Sequence, residues 1–522
     1  MKKTFTVVTT AVALWVCITS AMGKEPEGAP IAESLDMNQL RITWRNMANE
    51  QVIFPLQMKN MPVKIGSHRQ LFLDNYLIAA SENVTRQVHQ PRRLAMPVLT
   101  RRDRNEEVFV LQVRQFETAP KFRMWYWSWR RWHKLSNDQE IRFATSYATS
   151  HDGVHWNVPD LDLYKIAGMA DRNVVIPYGL MHGLFYEPHE PDPQKRFKAL
   201  VCVEAKNPKI SEGYYLHTSP DGVHWKADLD RQILPSLHKY DLPQSGIGDT
   251  TRFWWDPLRK KYIGDAKFVI PGRLRCRGIM ESDDLVHWTR PRPTFFARQE
   301  RTEIYGHTGF AYQGLYVGTR WIYVPDFNPE THSMYVELDT SRDGHAWTRV
   351  GAGQPFMDFN HQRDTWDASR VKPTALLEVD DEIWIYYAAA PTGEDVKDPE
   401  FPDVHRVGYS AGLAKLSRDR FASINGEDEI GTLLTRPLDF QGHRLHVNAA
   451  VAENGELRVG ILTCDEQSIS GYTPADSLPI TGDSINLPVS WQAKEKLTNL
   501  NHSQVRFQFL LKNAKLFSFW ID

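Results

Sequence analysis

Carboxylates and histidines stand near the beginnings of five strand-like segments that are far apart in the chain. The segments read RNEEVF at 104–109, LMHGLF at 180–185, IGDTTRFWW at 247–255, TEIYGHTGF at 302–310 and TWDASRVKP at 365–373. Their candidate residues are Glu107 with Glu106 beside it, His182, Asp249, Glu303, His307, Asp367 and Arg370. Like charges that share one cleft raise some of their pKa values. Such a set suits glycoside hydrolysis, in which one carboxyl group stays protonated and a second one stays ionised.

Three of these carboxylates, Asp249, Glu303 and Asp367, are the predicted catalytic residues because they open three successive segments. Glu303 is the predicted general acid, since the apolar and aromatic residues that follow it could desolvate the carboxyl group and raise its pKa. Asp249 is the predicted base or nucleophile. Asp367, beside Trp366, would orient substrate hydroxyl groups or tune the acid.

The predicted substrate-binding residues lie beside these carboxylates or in the N-terminal region. They are Asp74, His89, Glu107, His182, Trp254, His307, Trp366 and Arg370. The two tryptophans could stack on a sugar face, and packing in the core explains them equally well. Asp74 in FLDNYLI could instead be the catalytic base or could simply start a turn. His89 in the HQP stretch could instead make only a loop hydrogen bond.

Motifs for phosphate, zinc and dithiol chemistry are missing from the sequence. It contains no Gly-rich phosphate loop, no His-Glu-x-x-His and no Cys-x-x-Cys. Carboxylates and carbonyl groups that converge on a channel could bind a divalent cation, but no ligand spacing requires one. We therefore predict no cofactor and assign no metal ligand.

A seven-residue element recurs along the same part of the chain. Its copies are SHDGVHW at 150–156, SPDGVHW at 219–225, SDDLVHW at 282–288, SRDGHAW at 341–347 and a worn SRDRFAS at 417–423. Successive copies are 59 to 76 residues apart, which is enough for one four-stranded sheet with loops. Asp-Gly is a strong hairpin signal, because glycine accepts positive φ and the aspartate bonds nearby backbone. The elements are therefore predicted to be hairpins that shape the sheets and not active sites.

These repeats predict an all-β chain with a five-bladed β-propeller at 65–428 and a β-sandwich at 429–522. Each interval between copies has room for four strands, and the element disappears after about residue 430, where short β-rich runs are separated by turn residues. A propeller must close its ring, and LFLDNYLI at 71–78 is the predicted closing strand. The inner strands of the blades would then bring the five candidate segments together at the mouth of a central channel.

Composition and the N-terminus limit the partners and the compartment. The 522 residues carry 62 Lys and Arg against 64 Asp and Glu, a net charge of −2, so no global field favours nucleic acid. Residues 1–23 have the layout of a signal peptide, with cleavage between about residues 20 and 24, and 24–64 form an extension. We expect an exported protein, periplasmic or extracellular, without stable membrane insertion after cleavage.

Several stretches resemble exported planctomycete-type proteins that are described as five-bladed β-propellers. The resemblance lies in LFLDNYLI, the HQP stretch, the hairpin elements, DDEIWIYYA, GTLLTRPLDFQGHRLHVNA, ITGDS and LKNAKLFSF. That family is similar to glycoside hydrolases of the invertase, levansucrase and arabinanase group. The sequence lacks the Trp-x-Asn-Asp-Pro-Asn-Gly and Arg-Asp-Pro motifs of the invertases, so their functional residues are not carried over.

Two functions fit these observations. The first is an exported glycoside hydrolase that acts on a polysaccharide or oligosaccharide through a carboxylate pair at the channel mouth. The second is a non-catalytic propeller that binds carbohydrate or interacts with a surface. A glycosidase needs two carboxyl groups about 5 to 10 Å apart at an open pocket, whereas a binding module needs only an aromatic platform.

Overall fold

The computed structural model describes residues 59–522 with internal gaps. Outside the description are 1–58, 103–105, 130–132, 135–139, 142, 165–171, 204, 207–209, 236–249, 271–273, 297–301, 325–332, 360–364, 392–407, 493, 498–499 and 501–502. The predicted signal peptide and nearly all of the predicted extension lie outside the described residues. No helix in the described part of the chain is both long enough and apolar enough to span a membrane.

The all-β prediction is confirmed, because the described residues contain many strands and no α-helix. Short 3-10 turns include Pro193–Lys195 and Val350–Gly353. Five strands come first in the described chain: β1 (Val63–Lys64), β2 (Gln70–Leu71), β3 (Ile78–Glu82), β4 (Val84–Val88) and β5 (Arg92–Arg93).

Five antiparallel meanders follow in the described chain. The first strand of each one contacts the first strands of two other meanders. The first contains β6 (Phe109–Gln115), β7 (Phe122–Trp129), β8 (His133–Lys134), β9 (Glu140–Ile141), β10 (Ala144–Ser150), β11 (Trp156–Asn157) and β12 (Val174–Ile176). The second contains β13 (Gly179–Tyr186), β14 (Phe197–Val203), β15 (Ala205–Lys206), β16 (Gly213–Ser219), β17 (Lys226–Ala227) and β18 (Leu234–Pro235). Of these, β8, β9 and β15 pair as a separate small sheet that links the two meanders.

The remaining three meanders repeat this order. The third contains β19 (Arg252–Asp256), β20 (Lys261–Ile270), β21 (Leu274–Ser282) and β22 (Arg292–Phe295). The fourth contains β23 (Glu303–Tyr312), β24 (Leu315–Val324), β25 (Ser333–Ser341), β26 (Trp347–Arg349) and β27 (Pro355–Met357). The fifth contains β28 (Arg370–Val379), β29 (Glu382–Ala390) and β30 (Ser410–Ser417).

The first strands of the five meanders contact one another in a closed circle. Strand β6 contacts β13, β13 contacts β19, β19 contacts β23, β23 contacts β28, and β28 contacts β6. Where β13 and β19 pair, they are parallel, with Gly183 opposite Phe253. The circle therefore brings together strands whose first residues are 51 or more positions apart in sequence.

Six further strands follow, and all of them except β33 belong to the C-terminal sheet. They are β31 (Ala422–Gly426), β32 (Gly431–Thr435), β33 (Leu438–Asp439), β34 (Leu445–Leu462), β35 (Gly482–Pro488) and β36 (Arg506–Ile521). The long strands β34 and β36 pair along most of their length, and β33 pairs separately with β1. The apolar side chains of this region form their own core, which includes Phe507, Phe509 and Trp491.

The prediction that residues 71–78 close the ring is wrong. Strand β2 pairs with β36 and β3 pairs with β32, so this stretch belongs to the C-terminal sheet. Its Phe72 ring packs 5.7 Å from Phe519 and 6.1 Å from Phe509, because the apolar run is buried best beside those rings. The fifth meander instead receives β5, which pairs antiparallel with β30.

The recurring seven-residue elements are turns, as predicted. In the first copy, Ser150 Oγ accepts the backbone N–H of Gly153, and Asp152 Oδ1 accepts the backbone N–H of His155. The indole of Trp156 donates to the carbonyl oxygen of Gly153. The same contacts recur in the copies at 219–225, 282–288 and 341–347. In each of these four copies, the element links the strand that ends at its serine to the segment that pairs with that strand on the outer side of the meander.

We expect Gly153→Ala to lower the free energy of unfolding by about 2 kcal/mol or more. Gly153 has φ +75°, and a Cβ there would lie 2.6 Å from the Trp384 ring and 2.7 Å from the Tyr386 hydroxyl. Left-handed backbone costs an L-residue about 1–2 kcal/mol, and overpacking costs about 1–3 kcal/mol. Urea unfolding would measure the difference. Gly482→Ala is the control, since Gly482 has φ +83° with nothing within 4 Å, and it should lose only the backbone part. Equal losses in both variants would contradict this expectation.

Candidate functional site

Side chains from three of the first strands meet where those strands begin. Lys372 Nζ in β28 lies 4.4 Å from the ring centroid of Tyr305 in β23 and 5.4 Å from that of Phe109 in β6. Tyr409, just before β30, lies against the same ammonium group at 5.0 Å. We call Phe109, Tyr305, Arg370, Lys372 and Tyr409 the central cluster. Lys372, Arg370 and Tyr409 are almost fully buried.

The hydroxyl of Tyr409 is the polar focus of the central cluster. It accepts a hydrogen bond from Lys372 Nζ at 2.6 Å and another from Arg370 Nη1 at 3.1 Å. Hydrogen bonds from cationic donors are stronger than those between neutral groups. Arg370, which the sequence predicted as a substrate-binding residue, therefore lies in this cluster.

β-Bulges mark the same end of four first strands. The extra residues are Leu111 in β6, His182 in β13, Tyr305 in β23 and Thr374 in β28. The carbonyl oxygens of these extra residues accept hydrogen bonds from side chains elsewhere in the chain. Arg252 Nη2 donates to Leu111 at 2.5 Å and approaches Thr374 at 3.5 Å, Gln112 donates to His182 at 3.3 Å, and Thr250 donates to Tyr305 at 3.4 Å. Bulges concentrate next to active sites, where they redirect side chains.

Glu303, the predicted general acid, opens β23 next to the central cluster. Its Oε2 atom lies 2.8 Å from Arg275 Nη1, and its side chain is 15% exposed. The guanidinium of Arg275 in turn lies 5.4 Å from the Tyr305 ring centroid. Burial raises the pKa of Glu303, although the positive charges of Arg275 and Lys267 oppose that effect.

Glu107 contacts the central cluster from another side. Its Oε2 accepts the backbone N–H of Tyr409 at 2.6 Å, and its Oε1 accepts that of Gly408 at 3.3 Å. This carboxylate therefore holds the segment that positions the Tyr409 hydroxyl. The neighbouring Glu106 turns away and accepts the backbone N–H of Arg102 at 3.0 Å.

Asp249, the predicted base, lies outside the described residues. The next residue, Thr250, is described, and its hydroxyl contacts the Tyr305 carbonyl group. Arg277 Nη2 donates to the same hydroxyl at 2.8 Å. The described chain therefore resumes beside the central cluster directly after Asp249.

Asp367 and Trp366 face the segment around β5. Asp367 Oδ2 lies 3.0 Å from Arg93 Nη1, and Arg93 also donates to the carbonyl oxygen of Asp358. Trp366 stacks on Tyr387 with 5.7 Å between ring centroids and donates to the carbonyl oxygen of Ala95. The described contacts of these two residues are thus with β29 of the fifth meander and with the segment around β5.

His182, His307 and Trp254 pack inside the meanders. His182 Nδ1 lies 2.9 Å from the Tyr214 hydroxyl. His307 is fully buried, 2.5 Å from Asp265 Oδ2, and its ring stacks on Phe295. The ring of Trp254 packs edge-on to Tyr316 in the core between the third and fourth meanders.

Asp74 and His89 lie with the C-terminal sheet. Asp74 pairs with Arg342, one of the hairpin residues, through both carboxylate oxygens at 2.9 Å. His89 Nε2 lies 2.7 Å from Ser423 Oγ and its ring packs on Phe517. Burial lowers the pKa of His89 to about 4, and nearby Lys515 and Arg420 add to the effect. The structure does not bring Asp74 or His89 to the central cluster.

Sequence reasoning missed Lys372 and Tyr409, and it gave Tyr305 only the role of desolvating Glu303. Lys372 lies two residues after Arg370 on one strand, so strand periodicity could have placed both on the same face. Tyr409 is part of GYSAG at 408–412, so the sequence does contain a Gly-x-Ser-x-Gly match, although no nucleophile elbow was expected from it. Ser410 opens strand β30, buried and 2.9 Å from Thr100 Oγ1, so it does not sit on the strand-to-helix turn of a nucleophile elbow.

The described residues contain no group of three or more His, Cys, Asp or Glu side chains that could hold a metal ion.

Comparisons with known proteins give likenesses in structure. No family model matches the chain, and no curated protein sequence matches it. One similar solved structure is described as a glycoside hydrolase, with 15% identity over 64% of this chain and 93% of that one, at a TM-score of 0.43. An N-acetylgalactosamine deacetylase from F. plautii has 16% identity over 64% and 96%, at a TM-score of 0.41. A thermostable family-43 glycoside hydrolase has 11% identity over 63% and 94%, at a TM-score of 0.38.

Proposed function

We propose that the chain is a five-bladed β-propeller glycoside hydrolase that cleaves a polysaccharide or oligosaccharide beside the central cluster. The closed circle of five first strands supports five blades, with β5 completing the fifth. The C-terminal strands, together with β2, β3 and β4, would form the appended sandwich. The N-terminal sequence supports export, so the mature enzyme would work in the periplasm or outside the cell.

The observation that carries this proposal is the burial and position of the Glu303 carboxyl group. This is a mostly buried carboxyl group whose pKa is raised by burial, and it lies beside a cluster built from three first strands. A general acid must hold its proton near the working pH, and desolvation is the common way to achieve this for a carboxyl group. Glu303 would donate that proton to the leaving glycosidic oxygen.

The second carboxyl group would be Asp249. Its sequence neighbour Thr250 contacts the Tyr305 carbonyl group, two residues along β23 from Glu303. A separation of about 5 to 5.5 Å would fit a nucleophile, and about 6.5 to 9.5 Å would fit a base that activates water. Asp367 would orient substrate hydroxyl groups or tune the acid from the fifth meander.

A non-catalytic carbohydrate-binding propeller is the second candidate. This second function is favoured because each of three described carboxylates already has a protein partner. Glu303 pairs with Arg275, Asp367 pairs with Arg93, and Glu107 accepts backbone N–H groups. Carboxylates held in this way can be purely structural. A binding protein would retain glycan affinity and release no new reducing ends.

The test is a panel of polysaccharides and oligosaccharides incubated with the purified protein, with detection of reducing ends. We expect release from at least one glycan, and loss of that release when Glu303 is replaced by glutamine. Glycan binding without any release across the panel would favour the binding module instead.

A further inference from the structure

Arg275 binds the carboxyl group of Glu303 through its guanidinium group and its backbone N–H. Its Nη1 atom lies 2.8 Å from Glu303 Oε2, and its backbone N–H donates to the same carboxyl group. Arg275 belongs to β21 in the third meander, whereas Glu303 opens β23 in the fourth. The contact therefore fixes the carboxyl group from a neighbouring sheet.

Two tyrosine rings hold the guanidinium group in place. Its central carbon lies 5.4 Å from the Tyr305 ring centroid and 5.3 Å from that of Tyr323. Tyr323 is the residue opposite Glu303 in the pairing of β23 with β24. A planar guanidinium can contact rings through its faces while it donates to a carboxylate through its edge, which an ammonium group cannot copy.

We propose that Arg275 is a positioning residue of the reaction: it orients the Glu303 carboxyl group for proton donation and sets the upper pH limit of activity. This inference rests on the proposed function, in which Glu303 is the general acid. Arg275 itself need not touch the substrate.

The direction of the effect follows from the charges that face Glu303. Burial raises the pKa of Glu303, whereas the charge and hydrogen bonds of Arg275 lower it, and the more distant charge of Lys267 lowers it further. Tyr305 and Tyr323 are the aromatic neighbours, and Lys372 lies beyond Tyr305. A neutral side chain at 275 would leave the burial effect less opposed, so the pKa of Glu303 would rise. Because the acid works only while protonated, the alkaline limb of the pH–rate profile would move to higher pH.

The test compares the pH dependence of kcat/KM in wild type, Arg275→Met, Arg275→Gln and Arg275→Lys, on a glycan that the panel identifies. Both neutral variants should move the alkaline limb upward by about one pH unit or more, as expected for loss of an opposite charge at this distance. The lysine variant keeps the charge, so it should keep the limb within a few tenths of a unit while losing rate through poorer orientation. Folded neutral variants with the wild-type limb would overturn the proposal.

A second measurement does not depend on turnover. Protein labelled with ¹³C at the glutamate carboxyl carbon gives an NMR titration, in which the Glu303 signal is the one that Glu303→Gln removes. Its midpoint should rise in Arg275→Met, and an unchanged midpoint would overturn the proposed role of Arg275. If the panel finds no cleaved glycan, the proposed function fails while this titration still decides whether Arg275 controls Glu303. The proposal would also be overturned if an active Arg275→Met enzyme showed a raised Glu303 titration midpoint but no shift in the alkaline limb of its pH–rate profile.

Discussion

Replacing Glu303 with glutamine is expected to reduce glycan hydrolysis by about 100-fold or more, because removing a positioned acid or base typically costs that much. Glutamine keeps the shape of the side chain, so the fold should remain intact. Asp249→Asn is expected to cause a loss of the same order, since the reaction needs the second carboxyl group as well. Initial rates of reducing-end release, measured with each variant at the wild-type optimum, would check both losses.

Glu281→Gln is the matched control for these variants. Glu281 pairs with Arg259 at 2.8 Å, so it resembles Glu303 in having an arginine partner. It lies near the end of β21, whereas Arg275, the partner of Glu303, lies near the beginning of that strand. Its loss should leave turnover unchanged. Full activity in both Glu303→Gln and Asp249→Asn would contradict the assignment and direct attention to Glu107, His182 and Asp74.

Asp419→Ala is expected to lower the free energy of unfolding by about 3–5 kcal/mol, the usual cost of leaving a buried charged partner unpaired. Asp419 is fully buried in the worn fifth copy of the hairpin element. It accepts hydrogen bonds from the Tyr312 hydroxyl at 2.6 Å and from Ser518 Oγ at 2.7 Å, and it pairs with Arg69 at 3.0 Å. Burial and Asp419 together raise the pKa of Tyr312, so this hydroxyl remains a donor. One carboxylate thus joins the fourth meander to the C-terminal sheet at the place where β2 pairs with β36.

Guanidinium unfolding followed by tryptophan fluorescence would measure this loss. The control is Asp483→Ala, because Asp483 pairs with Arg420 but is 64% exposed, and exposed ion pairs contribute about 1 kcal/mol or less. If Asp419→Ala lowered the free energy of unfolding by less than about 1 kcal/mol, the contacts of Asp419 would not be what holds the fourth meander to the C-terminal sheet.

The sequence was informative where structure is local. Serine, aspartate and glycine satisfy one another within a single turn, so the hairpin elements could be predicted from their letters alone. The third copy has Leu285 where the first, second and fourth copies have glycine, and it still adopts the turn with φ +66°, because its buried side chain packs in the core. The all-β class followed from the same local signals.

The site was harder to predict because bulges change which face a side chain occupies. In β23, Glu303 pairs with Tyr323 and His307 pairs with Arg320, with Tyr305 as the extra residue between them. Without the bulge, Glu303 and His307 would share a face, since strand residues alternate with period two. With it, His307 points into the core beside Asp265, while Glu303 stays next to Arg275.

Long-range partners were beyond sequence reasoning. Tyr409 meets Lys372 from 37 residues away, and β5 joins β30 from more than 300 residues away. Asp74 and His89 carried suitable side chains, but strands β2, β3 and β4 beside them pair within the C-terminal sheet and take both residues there. The apolar run at 71–78 contributes Phe72 and Leu77 to the C-terminal core and Leu71 and Leu73 to a core with residues of the fourth and fifth meanders, and a single sequence does not reveal such a division.

The central claim is that a glycan is cleaved beside the central cluster with Glu303 as the acid. A crystal structure of the Glu303→Gln variant with a bound oligosaccharide substrate tests it most directly. The account predicts the scissile glycosidic oxygen within about 2.6–3.2 Å of the side-chain amide at position 303, with the sugar next to Tyr305 and Lys372. An oligosaccharide bound only at the C-terminal sheet or on the outer edges of the meanders, with no sugar atom in reach of position 303, would contradict it.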